Sequence, residues 1–316
     1  MSKPKNLTPN YDHVCDRNKE YRGKVYEPEA DSFLFLDALD ADKEFLHRPD
    51  KNFTTVLEIG VGSGIVCTHC CFHCLPQNSN TKSTNSSSVP RGLVCFGLDI
   101  NKTALKATAE TWEATRNDRI KDLRVVEQQE EEPKNKTSDY YRHHQLFLLH
   151  TSGLGAIRSN SIDLLLFNPP YVPTSTEEML EAQSGALSAK DELPAAWAGG
   201  IAGREICDKI LPEIPRVLSF PNGVAYVVAI QENNIPQMLK CLNREESTGF
   251  NDDEEDEEAE EEEEEEEEEE QQQMHLHHEK EKELSPNDST KRKMKATVVS
   301  MRWTGEHLRV VRFEFC

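Results

Sequence analysis

Hydrophobic and polar positions divide most of the chain into two kinds of segment. Short continuous apolar runs, typical of buried strands, alternate with segments in which apolar residues recur at helical spacing. The predicted strands are residues 55–59, 93–98, 162–167, 223–230, 296–303 and 307–315, with 123–126 and 146–149 as further candidates, and the predicted helices are residues 31–46, 65–75, 102–115 and 204–218. This alternation indicates an α/β fold with a doubly wound, mainly parallel sheet, and the last two strands predict an antiparallel hairpin.

Three polar segments interrupt this pattern, at residues 77–91, 127–143 and 244–290. None contains enough apolar side chains to offset the entropy of ordering it, so we predict flexible surface insertions, with the last one disordered. Residues 1–24 are predicted to be a flexible N-terminus. Residues 25–316 are then a single domain that carries the three insertions, and ligands in such a domain bind beyond the C-terminal ends of the strands.

The charge of the chain is concentrated in the last insertion. The 316 residues have a net charge of -22, but residues 251–270 hold 18 acidic and no basic side chains, and removing those 18 leaves -4. No strongly basic surface is evident, which argues against binding nucleic acid through its phosphates. No apolar stretch of about 18 residues indicates a membrane span, and no secretory signal is evident. The nine cysteines are expected to be thiols, and the expected location is cytoplasmic, with the nucleus left open as an additional location.

A glycine turn follows the first buried strand, and an acidic residue ends the next one. Glycines at alternate positions allow the backbone to approach a ligand closely, and Asp99 can accept hydrogen bonds from both hydroxyls of a ribose. Asp99 follows the turn by 35 residues rather than the usual 20 or so, and the insertion at 77–91 accounts for the excess. Nicotinamide and adenosyl sulfonium cofactors both suit this pattern. Glu58 favours the second, because a carboxylate would repel a pyrophosphate but tolerate a cationic amino acid. The turn glycines are Gly60, Gly62 and Gly64.

A second motif, Asn168-Pro169-Pro170-Tyr171, ends the strand at 162–167. The two prolines stiffen the chain and remove backbone donors, which leaves carbonyl oxygens free beside the side-chain oxygen of Asn168. Two acceptors that face one point suit an NH2 group, and Tyr171 can lie against a planar conjugated group. Such a grip can aim the delocalised lone pair of an amide or base nitrogen at an electrophilic methyl, and positioning supplies most of the gain. No strong general base is needed before transfer, because the proton leaves the cationic product.

These motifs and their surroundings resemble the HemK-type glutamine N5-methyltransferases, in the eukaryotic and archaeal branch that modifies class 1 translation termination (release) factors. The resemblance covers residues of about 25–242 and resumes near 296. The matching segments are Val25-Tyr26-Glu27-Pro28, Asp31-Ser32-Phe33, Glu58 to Gly64, Asp99-Ile100-Asn101, Phe167 to Val172, Ala195 to Gly200, Gly203-Arg204-Glu205 and Gln231-Glu232-Asn233-Asn234. The implied fold is a Rossmann-like class I methyltransferase with seven strands.

The resemblance implies S-adenosyl-L-methionine as methyl donor and the glutamine of a Gly-Gly-Gln loop as acceptor. It implies cofactor contacts at Ser32, Glu58, Gly60, Gly62, Gly64, Asp99 and Ser152. It implies a substrate clamp formed by Tyr26, Asn168, Pro169, Pro170 and Tyr171, with Asn168 as the catalytic residue. Two departures concern this site. Glu29 and Ala30 are exchanged relative to the family's usual Glu-Pro-Ala-Glu-Asp, and Thr151-Ser152-Gly153 stands where an acidic residue usually holds the adenine end.

The resemblance also implies a partner, a small zinc-binding activator subunit that forms a heterodimer with the enzyme and covers an apolar sheet edge. Three other functions stay open: adenine-N6 methylation of nucleic acid, which shares the Asn-Pro-Pro-Tyr motif, lysine methylation of histones or other proteins, and a non-catalytic acidic scaffold that binds basic proteins through 251–270.

A run of cysteines and histidines after the glycine turn could suggest zinc, because it contains two C-x-x-C spacings. The run lies in a predicted continuous helix, where adjacent pairs of side chains point in different directions, and small thiols are common in cores. We therefore interpret it as helix packing and predict no metal site. Its residues are Cys67, His69, Cys70, Cys71, His73 and Cys74.

Overall fold

The computed structural model describes residues 8–15, 20–75, 92–127, 141–177, 180, 199–243 and 292–316. These residues all belong to the unit Met1–Glu245 with Arg292–Cys316, and a second unit, Glu246–Lys291, lies outside them. The predicted insertions at 77–91 and 244–290 lie outside the described residues, as does most of the one at 127–143. None of the described helices combines the length and apolar character needed to cross a bilayer.

Seven strands form one sheet in the order β3-β2-β1-β4-β5-β7-β6. Neighbouring strands from β3 to β5 are parallel, whereas β7 runs antiparallel to β5 and to β6. The strands are β1 Thr55–Ile59, β2 Val94–Asp99, β3 Gln145–His150, β4 Leu164–Phe167, β5 Val224–Ala229, β6 Met294–Trp303 and β7 His307–Phe315. The predicted fold class is therefore confirmed, including the C-terminal hairpin.

The helices cover both faces of this sheet. They are α1 Ala30–Ala41, α2 Lys43–Leu46, α3 Ile65–His69, α4 Lys102–Glu127, α5 Glu205–Ile210, α6 Ile214–Val217 and α7 Ile235–Asn243. A π-helical turn, Cys70–Cys74, continues α3, and 3-10 turns lie at Ile201–Gly203, Leu211–Glu213 and Gln231–Asn233. Pro212 and Pro215 divide the helix predicted over 204–218, because proline removes a backbone donor.

One element prediction is wrong. Residues 123–126, predicted as a strand candidate, continue helix α4 to Glu127. A short apolar run is consistent with either a buried strand or a helix. The place beside β2 is taken by β3, which pairs along its whole length with Val94 to Asp99.

Successive residues of the central strands point into two different hydrophobic clusters, as the pleat of a strand requires. Val56, Leu164 and Tyr226 pack with α1, α3 and the π-helical turn, whereas Leu57, Leu165 and Val227 pack with α5 and α6. Because both faces are covered, these strands are almost continuously apolar. Ligands can therefore approach these central strands at their ends and not across the faces of the sheet.

The N-terminal segment contacts helix α4. Val14 and Tyr21, which lie in the segment predicted to be flexible, are buried in a small cluster with Ala104 and Ala107. The Tyr21 hydroxyl also donates to Glu110 Oε1 at 2.6 Å. The described parts of residues 8–24 thus cover the first turns of α4, next to the C-terminal end of β2.

Candidate active site

A cavity of about 350 Å³ opens at the C-terminal ends of β1, β2 and β4. That volume lies within the range of small-molecule sites, about 300–1,000 Å³. Most of the residues predicted for the site line it. They are Tyr26, Ser32, Glu58, Gly60, Gly62, Asp99, Ser152, Asn168, Pro169 and Pro170. The glycine turn, the acid after β2 and the proline corner, which together span more than 100 residues of the sequence, therefore share one cavity.

The glycine turn needs glycine for two different reasons. Gly60, Gly62 and Gly64 all have positive φ, of 68°, 50° and 78°, a region that costs other residues about 1–2 kcal/mol. A Cβ on Gly60 or Gly62 would meet nothing within 4 Å, whereas one on Gly64 would lie 2.8 Å from the Thr108 Cα. Gly64 does not line the cavity; it allows α3 to pack closely against α4. Its predicted cofactor contact stays a prediction.

Two carboxylates in the cavity, the buried Glu58 and the half-buried Asp99, are held by backbone amides. Asp99 accepts from the amides of Gly62 at 3.0 Å and Asn101 at 2.8 Å, and Glu58 accepts from the amide of Cys67 at 2.9 Å. Burial raises the pKa of Asp99. Burial, with a smaller contribution from Asp99, raises the pKa of Glu58 to about 8. A cationic ligand would lower the pKa of Glu58 again, because opposite charge favours the ionised form.

Asn168 is oriented by a residue that the sequence analysis did not assign to the site. Its Nδ2 donates to Asp31 Oδ2 at 2.8 Å, so its Oδ1 points away. That oxygen is buried and has no hydrogen-bond partner among the described residues. Since buried acceptors are normally satisfied, an unpartnered one in a cavity indicates a place for a donor. Asp31 also lies within reach of the hydroxyls of Tyr26 and Ser32, both at 3.4 Å. Its position beside the Tyr26-Glu27-Pro28 motif was the signal in the sequence.

Tyr171 lies outside the lining of the cavity. Its half-buried ring is near Asp31. Burial is the larger cause that raises the pKa of the phenol, and the charge of Asp31 is the second. The predicted contact with a planar substrate group stays a prediction.

Gly199 and Gly203 pack closely against the backbone of the proline corner. A Cβ on Gly199 would lie 2.5 Å from the Pro170 carbonyl oxygen, and one on Gly203 1.8 Å from that of Tyr171. The Gly199 amide donates to the Val172 carbonyl at 2.9 Å. The segment that carried the resemblance thus holds the rigid turn in place.

The cavity fits the adenosyl cofactor implied by the resemblance. Glu58 and Asp31 offer carboxylates for a cationic amino acid, and Asp99 offers one for a ribose. Beyond Asp99, the lining includes Ile100, Ile206 and Ile210, which suit an apolar base, and the exposed Ser152. Within this lining no carboxylate follows β3, so the departure at Thr151-Ser152-Gly153 leaves that end of the cavity without the family's usual acidic residue.

A doubly wound sheet whose glycine turn, strand-end acid and Asn-Pro-Pro-Tyr corner open on one cavity defines a methyltransferase of the Rossmann-like class. No family model matches the chain. It is 33% identical over 242 residues to the mouse protein "Methyltransferase HEMK2", which covers 77% of this chain and 87% of that protein. It is 32% identical over 233 residues to the Schizosaccharomyces pombe protein "eRF1 methyltransferase catalytic subunit mtq2", covering 72% and 82%. The chain therefore belongs to the HemK-type methyltransferases, in their eukaryotic and archaeal branch.

Among solved structures, the E. cuniculi Mtq2–Trm112 complex, described as methylating the termination factor eRF1, is similar with a TM-score of 0.46. The sequence identity is 15%, and the match covers 92% of this chain and 98% of the other. This likeness is too distant to bear on the function.

Proposed function

We propose that the protein uses S-adenosyl-L-methionine to methylate the side-chain nitrogen of a glutamine, in the Gly-Gly-Gln loop of a class 1 release factor. The observation that carries the proposal is the buried, unpartnered Oδ1 of Asn168, fixed by Asp31 in the cavity that also holds Glu58 and Asp99. The name of the S. pombe relative, an eRF1 methyltransferase subunit, supports this choice of substrate.

The chain contributes positioning. Asn168 Oδ1 accepts one N–H of the glutamine amide, and the carbonyls of the proline corner accept the other, so the nitrogen lone pair is turned away from conjugation. Glu58 and Asp99 hold the amino acid and ribose portions of the cofactor. When bound, S-adenosyl-L-methionine would supply an electrophilic methyl group on a sulfonium, with a neutral thioether as the leaving group. The proton then departs from the cationic amide product.

The test is transfer of labelled methyl from S-adenosyl-L-methionine to a purified class 1 release factor, with the product located by mass spectrometry. We expect one methyl on the glutamine of the Gly-Gly-Gln loop. A release factor with that glutamine replaced by alanine is the matched control and should stay unlabelled. Labelling of lysine, or of adenine in nucleic acid, with none on the glutamine would replace the proposal by one of the alternatives.

We propose further that a small activator subunit covers strand β3, one of the two edge strands of the sheet. Phe147 on β3 is 47% exposed, and its ring stacks on Phe96 with centroids 5.5 Å apart. Ile100, which lines the cavity, is also exposed. A partner here would cover an unpaired edge, which is an aggregation hazard, beside the end of the cavity that lacks a carboxylate.

Co-expression with the activator distinguishes β3 from the opposite edge. Met301 on β6 is 70% exposed and provides the matched position. Phe147→Asp should prevent co-purification of the activator and weaken cofactor binding, whereas Met301→Asp should do neither. The reverse result would assign the activator to β6. For the enzyme with its activator we propose a cytoplasmic location, where termination factors act, with the nucleus left open as an additional location. Imaging of the labelled protein tests it.

A further inference from the structure

Helix α1, the last residue of α3 and the π-helical turn that follows it bring together three side chains that the site does not use. They are Asp40, His69 and Cys74, whose potential ligand atoms all lie within 4.8 Å of one another. His69 Nε2 lies 3.1 Å from Asp40 Oδ1, and the Cys74 thiol donates to the same oxygen at 3.5 Å. His69 and Cys74 are buried, while Asp40 is partly exposed and leaves a path for an ion to enter.

The π-helical turn is what aligns these residues. In the continuous α-helix predicted over 65–75, positions 69 and 74 would lie on different sides. In the structure the α-helix ends at His69, and the Leu75 amide donates to the Cys70 carbonyl at 3.1 Å, five residues back. A π-helix places residues five apart above one another, and such turns are frequent at functional sites.

A fourth donor lies beside the three. The His73 ring centroid is 5.2 Å from that of His69, and neither ring nitrogen of His73 has a hydrogen-bond partner in the described part of the chain. Buried polar groups without partners are uncommon and call for an explanation, such as an ion. An ion held by the two neighbouring imidazoles, the thiol and the carboxylate would explain the unpartnered nitrogens of His73.

We propose that Asp40, His69 and Cys74, with His73 as the fourth ligand, form a binding site for Zn²⁺ or a similar divalent transition metal. One sulfur, one carboxylate oxygen and imidazole nitrogens are the ligand types that zinc takes in proteins. Zinc–ligand bonds of about 2.0–2.3 Å set tetrahedral ligand atoms roughly 3.3–3.8 Å apart. The two contacts to Asp40, at 3.1 and 3.5 Å, are close to that separation. The His69 and Cys74 ligand atoms lie within 4.8 Å of each other and need to approach by about 1 Å at most, and the His73 ring has to turn toward them.

The site would join two elements of the methyl-transfer cavity. Helix α1 carries Asp31 near its beginning and Asp40 near its end, and α3 begins at the glycine turn. Lys43 competes with a metal, because its ammonium pairs with Asp40 Oδ1 at 2.8 Å. Metal binding therefore displaces Lys43 and releases the thiol proton of Cys74 to solvent, since the thiolate is the ligand.

The experiment uses the full chain without an affinity tag, stripped of metal and titrated with Co²⁺ and then Zn²⁺. The histidines outside the described residues at 275, 277 and 278 are replaced by glutamine throughout, because such tracts bind metal weakly. We expect one Co²⁺ per chain, with tetrahedral visible bands and a thiolate-to-cobalt charge-transfer band, displaced by Zn²⁺. Free Zn²⁺ at a hundredfold its Kd should raise the melting temperature by roughly 5–10 °C.

Four variants assign the ligands. Asp40→Asn and Cys74→Ala should each weaken Co²⁺ binding at least about tenfold, by analogy with the effect of altering a metal's supporting residues. Cys74→Ala should also abolish the charge-transfer band. Cys70→Ala, the matched control, removes a buried thiol from the same turn and should leave both unchanged. Lys43→Gln should tighten binding, because it removes the competing cation. Asp40 is partly exposed, so its variant keeps the test valid if a buried cysteine variant does not fold.

The proposal is overturned if the wild-type chain takes up no Co²⁺ or Zn²⁺ under these conditions. It is equally overturned if binding survives both Asp40→Asn and Cys74→Ala, which would place the ion elsewhere in the chain.

Discussion

The cofactor half of the cavity and its acceptor corner differ in whether the protein satisfies their hydrogen-bond acceptors. In the cofactor half, Glu58 and Asp99 already accept from backbone amides. In the acceptor corner, the Asn168 amide nitrogen donates to Asp31, and its Oδ1 is buried without a partner among the described residues. In the cofactor half, the protein itself supplies hydrogen-bond donors to both carboxylates. In the acceptor corner, the free oxygen of Asn168 is satisfied only when a ligand provides a donor. The comparison teaches that affinity for the cofactor and rate of transfer depend on separate groups.

The strongest test of this separation is Asn168→Ala. We expect kcat to fall by about 10²–10³, the usual effect of removing one positioning hydrogen bond from an active site, while the Kd of the cofactor changes less than about threefold. Single-turnover methyl transfer and equilibrium binding measure the two quantities. A variant that loses cofactor affinity as strongly as turnover would show that the two regions are not separate.

The converse change is Asp99→Asn in the cofactor half. It removes a charged acceptor facing the ribose, and hydrogen bonds to charged groups contribute about 1.5–3 kcal/mol. We therefore expect the cofactor Kd to rise roughly 10- to 100-fold, with kcat at saturating cofactor nearly unchanged. Calorimetry and initial rates at high cofactor provide the two values, and a large loss of kcat at saturation would contradict the comparison.

The glycine turn divides the comparison further, since only part of it faces the ligand. Gly64→Ala introduces a Cβ 2.8 Å from Thr108 at positive φ, whereas Gly60→Ala meets no atom within 4 Å. Overpacking costs about 1–3 kcal/mol, so we expect the unfolding free energy to fall by about that much more for Gly64→Ala than for Gly60→Ala. Urea denaturation of both variants is the measurement. Equal losses would mean that the approach of α3 to α4 is not restrictive.

The smallest effect is a pH dependence of cofactor binding. The pKa of Glu58 is raised to about 8 without a ligand, and a bound cation lowers it. Protons therefore leave on binding, and affinity increases as pH rises toward 8. Between pH 6 and 7.5 we expect the Kd to fall about tenfold in total. The release of a single proton limits the slope to at most about tenfold per pH unit. Glu58→Gln should flatten this dependence, and an unchanged slope in that variant would assign the proton to another group.

The active site illustrates where inference from sequence succeeds. The glycine turn, Asp99 and the proline corner were predictable because each is a local signal at the end of a strand, and parallel strands bring such ends together. The strand candidate at 123–126 was wrong for the same local reason, since a few apolar residues suit a strand and a helix alike.

What the sequence determined by itself is the order of strands and helices, the family and the cavity's main side chains, because periodicity and short motifs encode them directly. Tertiary packing alone decided that Asp31 orients Asn168 across 137 positions, that Gly64 serves helix packing, and that Asp40 meets His69 and Cys74. Those contacts depend on how α1 lies against its neighbours and on a π-helical turn. Hydrophobic patterning does not specify either, since it records which face of an element is buried but not which polar side chains then meet.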